Sequence, residues 1–74
     1  MTPSSRGYGA RAALTPRMRE VLRGAAAGET ARETAACLHI STSTVKTIRA
    51  AACDRLEARN VTAAVAIAYR RGEL

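Results

Sequence analysis

The segment from Thr30 to Leu56 admits few folds. Thr30 is followed three residues later by Glu33, a T-x-x-E pattern in which side chain and backbone amide cap each other at a helix start. Ala31, Ala35 and Leu38 then fall on one side of that helix, which is expected to end near His39. Ser41 is again a good cap. A longer helix from Ser41 to about Ala58 carries Val45, Ile48, Ala52 and Leu56 as its apolar stripe. Ser43, Lys46, Thr47, Ala50 and Asp54 occupy the opposite side at steps of three and four. Two helices joined by so short a link must cross steeply, with apolar Ile40 plugging the gap between them.

The flanks extend this pattern with more helix. Thr15-Pro16 is a cap followed by a proline at the first helical position, where its missing N–H is not needed. Met18, Val21, Leu22 and Ala25 make one stripe, and Gly28 is placed to close the helix with positive φ. A fourth helix is predicted from Asn60, with Thr62 as an alternative cap. Val61, Ala64, Val65 and Ala68 are its inner positions, Arg70 and Arg71 its last-turn cations, and Gly72 its end. The chain has no Phe or Trp, so the core must be built from Leu, Val, Ile, Met and Ala, and small alanines let helices approach closely. With no strand pattern, the expected fold is an all-α four-helix bundle. Residues 14–74 form the domain, and residues 1–13, rich in Ser, Gly and Arg, read as a flexible basic arm. Arg6 and Arg11 in that arm are candidate phosphate contacts, against the alternative of a tail without a role.

Charge narrows the partner. Lys and Arg number 12 against 6 Asp and Glu, for a net charge of +6, and every cation except Lys46 is arginine. A small basic domain of this kind suits a polyanion, most often nucleic acid, although such charge also serves solubility. One histidine, no glycine-rich phosphate loop and no paired carboxylates in an apolar setting leave no catalytic constellation, so no enzyme activity is expected. Cys37 and Cys53 lack CxxC spacing and a nearby histidine, which favours reduced thiols over a metal site, and no metal or cofactor is expected. No apolar run approaches the roughly 20 residues that span a bilayer, and the N-terminus has no apolar signal core; a cytoplasmic protein with no membrane partner is expected.

The two crossing helices make a helix-turn-helix, the motif that lays its second helix in the major groove of DNA. Ser41, Thr42 and Thr44 bring hydroxyls and free amides to a helix N-terminus, where unpaired donors and the helix dipole both favour a phosphate oxygen. Thr30 and Arg32, at the start of the preceding helix, are further phosphate candidates. Lys46 and Thr47 sit one turn into the second helix, at base-edge depth. Lys46 offers donors to guanine O6 and N7, and Thr47 offers a methyl to thymine or a hydroxyl to a base. An exposed lysine on a solvated face is the competing view of Lys46. Arg49, at the edge of the apolar stripe, is expected to pack its stem and extend its head to a phosphate or an acidic neighbour. Asp54 lies roughly 16 Å along the helix from Ser43, beyond the groove or paired with Arg55 or another arginine.

Leu14-Thr15-Pro16-Arg17 and Arg19-Glu20-Val21-Leu22 resemble the opening of LuxR-type helix-turn-helix domains. The resemblance continues through Ala27-Gly28, Thr30-Ala31-Arg32-Glu33, Ile40-Ser41, Thr44-Val45-Lys46-Thr47, Leu56 and Arg59-Asn60, and covers Leu14 to Gly72 without a gap. It implies a four-helix domain of the winged-helix-like superfamily without the wing, binding double-stranded DNA with a recognition helix of about 42–58. By matching positions, Lys46 and Thr47 are the base-side residues and Ala50 takes a third such position with no polar group to offer; Ser43, on the same outward face, is a further base-contact candidate. The resemblance also implies a homodimer through the fourth helix, with Val61, Thr62, Val65, Ile67 and Tyr69 at the interface. Most of that family carries a second, sensing domain for which this chain has no room, so a stand-alone regulator is expected, controlled by abundance or by a protein partner. The chain departs from the family's usual residues at Met18, Thr34, His39, Ile48, Ala50, Ala51 and Asp54. Thr34 stands where an apolar residue is usual. His39 stands where glycine is usual, a strained choice if the turn needs positive φ.

Two further readings compete with a DNA-binding transcriptional regulator. The alanine-rich face of the second motif helix fits a protein-interaction module acting on RNA polymerase, a sigma factor or another regulator. Cys37 and Cys53 would serve a thiol or metal sensor, which requires a lowered thiol pKa.

Overall fold

A computed structural model describes residues 13–74. Arg6, Arg11 and the rest of the expected arm up to Ala12 lie outside the described residues. Four helices follow one another: α1 (Pro16–Ala26), α2 (Ala31–Leu38), α3 (Thr42–Leu56) and α4 (Val61–Arg70). Among the described residues there is no strand.

Each helix begins where its cap predicts. Thr15, Ser41 and Asn60 accept from the amides of Met18, Thr44 and Ala63 at 3.1, 3.0 and 2.8 Å. At α2 the box is complete: Thr30 Oγ1 accepts from the Glu33 N–H at 3.1 Å, and Glu33 Oε1 accepts from the Thr30 N–H at 2.8 Å. The helix ends are more varied. Gly28 and Gly72 take positive φ after α1 and α4, as expected of glycines past a helix end. His39 and Glu57, which have a Cβ, do the same after α2 and α3, at φ 58° and 55°. His39 thus takes the conformation its glycine-like position requires. Glu57 ends α3 at Leu56, two residues short of the expected boundary near residue 58, because the left-handed residue turns the Ala58 amide back onto the Cys53 carbonyl at 2.8 Å.

The core has two lobes that share α1 and α3. Val21, Ala35 and Val45 are buried between α1, α2 and α3, with Ala31, Leu38 and Ile40 closing around them. Ile40 therefore fills the space under the turn. Leu14, Met18, Leu22, Ala52, Leu56, Ala64 and Ala68 form the second lobe. Ala52, Ala64 and Ala68 are fully buried, so α3 and α4 meet on methyl groups. Ile48 touches both lobes. The ends of the domain are tied together: Glu73 Oε1 accepts from the Leu14 N–H at 3.1 Å and lies 3.7 Å from Arg19 Nη1, which also donates to the Leu14 carbonyl at 2.9 Å.

Candidate nucleic-acid interface

The exposed side of α3 is the back of a buried stripe. Val45, Ala52 and Leu56 face inward with Ile48 half-buried, so the helical period turns Ser43, Lys46, Thr47, Ala50 and Asp54 outward, and all five are exposed. The Thr47 hydroxyl donates to the Ser43 carbonyl one turn back, at 3.1 Å. Its proton is used inside the helix, leaving a methyl group and oxygen lone pairs on the outside.

The start of α3 presents donors beside this row. Ser41 caps the Thr44 amide, and the Val45 amide opens the helical ladder onto the Ser41 carbonyl at 3.1 Å. Thr42 and Ser43, ahead of them in the first turn, point their amides out of the helix end. The hydroxyls of Ser41 and Thr44 lie 2.8 Å apart, and both residues are exposed, while Thr42 is half-buried. Thr30 and Arg32 are likewise exposed at the start of α2. No acidic residue lies in the first turn of α3, whereas Glu33 does in α2, where it serves the cap.

Two arginines have intramolecular roles that the sequence did not reveal. Arg49 is half-buried and donates from Nη2 to the Glu29 carbonyl at 3.2 Å, so its head reaches a backbone oxygen of the α1–α2 turn rather than an acidic side chain. Arg55 donates to the Ala13 carbonyl, at 2.6 Å, and does not pair with Asp54. Asp54 has no ion pair among the described residues. Ala13, expected in the arm, is thereby fastened to α3.

On α4, Val61, Val65 and Ile67 are half-buried against the second lobe of the core, while Thr62 and Tyr69 are exposed, Tyr69 to 64%. The five residues expected at a dimer interface thus divide into core-edge and open positions. Cys37 is an exposed free thiol; Cys53 is free and half-buried, with its pKa raised by burial and secondarily by the Asp54 carboxylate. That direction is opposite to the one a reactive thiolate needs. Among the described residues no group of three His, Cys, Asp or Glu stands together to hold a metal. No helix there is long and apolar enough to cross a membrane.

Residues 12–68 match the family of bacterial regulatory proteins called GerE, or luxR. The chain belongs to the luxR family. The match spans all of α1, α2 and α3 and most of α4, so the helix-turn-helix formed by α2 and α3 is the family's own motif, and DNA-binding transcription regulation is the activity that comes with it. No curated protein matches the chain. Within this luxR-family domain the Glu29–Thr34–Arg49 contact escaped sequence reasoning. Thr34, polar at a position where an apolar residue is usual, was its one visible signal.

Proposed function

We propose that this protein regulates transcription as a dimer that reads duplex DNA with α3 in the major groove. The observation that carries the reading is the exposed row Ser43, Lys46 and Thr47, which starts at a capped helix N-terminus and lies opposite a buried stripe. Lys46 donates to guanine O6 and N7. Thr47, with its proton engaged on the Ser43 carbonyl, offers its methyl to thymine or a lone pair to a base amino group. Ala50 adds an apolar contact. Thr30, Arg32, Ser41, Thr42 and Thr44 hold the phosphates on either side and fix the register, while Arg49, expected among them from the sequence, is engaged on the Glu29 carbonyl. The dimer forms along α4, with Thr62 and Tyr69 at its open side and Val61, Val65 and Ile67 along the edge. The protein works in the cytoplasm.

Selection from a random duplex library tests this directly. An inverted repeat is expected, bound with strong salt dependence because phosphate contacts release counterions. Lys46→Ala should weaken the selected site by roughly tenfold or more, the scale of one good base contact. Unchanged affinity and sequence preference would refute the groove assignment. A second reading is a protein-interaction module directed at the transcription machinery. It is favoured by the outer half of α3, where exposed Ala50 gives way to an Asp54 carboxylate without an ion pair among the described residues. A partner bound without DNA, together with no duplex binding at low salt, would select it.

A further inference from the structure

Glu29 joins three helices. Its N–H donates to the Gly24 carbonyl in α1 at 3.0 Å. Its carboxylate accepts from the Thr34 hydroxyl in α2 at 2.8 Å. Its carbonyl accepts from Arg49 Nη2 in α3 at 3.2 Å. Thr34 is 1% exposed, so its hydroxyl has no water to turn to and needs this partner. Arg49 Nε is buried without a hydrogen-bond partner among the described residues, which shields one edge of the guanidinium from solvent.

The position of this contact matters. Glu29 immediately precedes Thr30, the cap and candidate phosphate contact of α2, and Arg49 follows Lys46 and Thr47 by less than one helical turn. The Glu29–Arg49 bond therefore ties the phosphate-facing start of α2 to the base-facing turn of α3. We propose that Glu29, Thr34 and Arg49 form a positioning brace that sets the pose of α3 against the start of α2, and through it the discrimination between DNA sequences. The inference rests on the DNA-reading function proposed above. Base-edge hydrogen bonds require side chains placed within about 0.5 Å, whereas phosphate attraction tolerates more slack. Loosening the brace thus lowers affinity for the selected site more than affinity for random duplex.

Thr34→Val removes the hydroxyl at nearly constant shape and adds no charge. With helicity and melting checked so that equal folded protein is compared, we expect the ratio of selected to random affinity to fall roughly fivefold at an unchanged salt slope. In an Arg49→Ala background Thr34→Val should cause no further loss, because the Thr34 bond to the Glu29 carboxylate and the Arg49 bond to its carbonyl act in series through Glu29. Glu29→Gln retains an acceptor for Thr34 and should keep the ratio. An unchanged ratio in Thr34→Val, or additive losses in the double variant, would overturn the brace. If Thr34→Val does not fold, Glu29→Ala replaces it with the same expectations. Should the protein select no duplex, the DNA-reading function fails, and the brace is read by NMR on the free protein. There the Arg49 Nε proton should exchange more slowly than that of exposed Arg32 and speed up in Thr34→Val; exchange as fast as in Arg32 overturns it.

Discussion

Gly24→Ala is a substitution whose expected sign depends on the tertiary structure. Gly24 lies inside α1, where alanine is favoured over glycine by roughly 1 kcal/mol, so the change looks stabilising in sequence. A Cβ built at Gly24 would lie 2.5 Å from Thr34 Oγ1, 2.6 Å from Glu29 Oε1 and 3.1 Å from Thr34 Cγ2. The Glu29 carboxylate can swing away, but only by abandoning the buried Thr34 hydroxyl, at about 1–3 kcal/mol. Thr34 is β-branched and buried, so it yields by shifting α2 against α1, an overpacking penalty of about 1–3 kcal/mol. Thr34 Oγ1 and Glu29 Oε1 both lie too close to the added carbon, so both must give, and the net loss after the propensity gain is at least about 1 kcal/mol. In a domain of this size that lowers Tm by roughly 4–8 °C or more. Urea and thermal unfolding followed by circular dichroism measure it. The decisive comparison is the same change in a Thr34→Ala background, where the obstructing atoms are gone and Glu29 is released. There Gly24→Ala should turn stabilising by up to about 1 kcal/mol. An unchanged or raised Tm in the single variant, or the same destabilisation in both backgrounds, would refute the packing argument.

Other consequences are open to the same measurements. Thr30→Ala removes the acceptor for the Glu33 amide and should cost about 1 kcal/mol in urea unfolding; an unaltered midpoint would show that the box contributes nothing to the fold. Glu57→Gly should relieve a left-handed Cβ at the end of α3, raising stability by up to about 1 kcal/mol, and a lower Tm would contradict the strain. Cys53 has a raised folded pKa, so on going alkaline the unfolded thiol ionises first, the unfolded state holds fewer protons and stability falls as pH rises through the ordinary thiol range. Cys53→Ala should flatten that decline, and an equally steep profile in the variant would rule the thiol out as its source. A maleimide should label exposed Cys37 well before Cys53, and equal rates would contradict their placement.

The helix starts were legible because an N-cap is a local device. Thr15, Thr30, Ser41 and Asn60 each bond an amide three residues on, so spacing along the chain is spacing in the molecule. The face of α3 was legible for a similar reason: a buried Val45–Ala52–Leu56 stripe fixes by periodicity that Ser43, Lys46 and Thr47 look outward. The end of α3 was less so. Glu57 in a left-handed conformation contradicts its own preference, and only the return of Ala58 onto Cys53 accounts for it.

The chain by itself determined four helices, their caps, the short α2–α3 turn and an outward row of polar residues, since all of these follow from contacts within about four residues. Tertiary structure decided what the arginines do. Arg49 was expected to reach a phosphate or an acidic neighbour and Arg55 was a candidate partner for Asp54, yet one holds the Glu29 carbonyl across 20 residues and the other the Ala13 carbonyl across 42. It also decided that Thr34 is buried, that Gly24 has no space for a methyl group and that Glu29 serves three helices. A donor's partner is set by which backbone carbonyl the folded helices bring within about 3 Å, and residue type and spacing do not encode that distance.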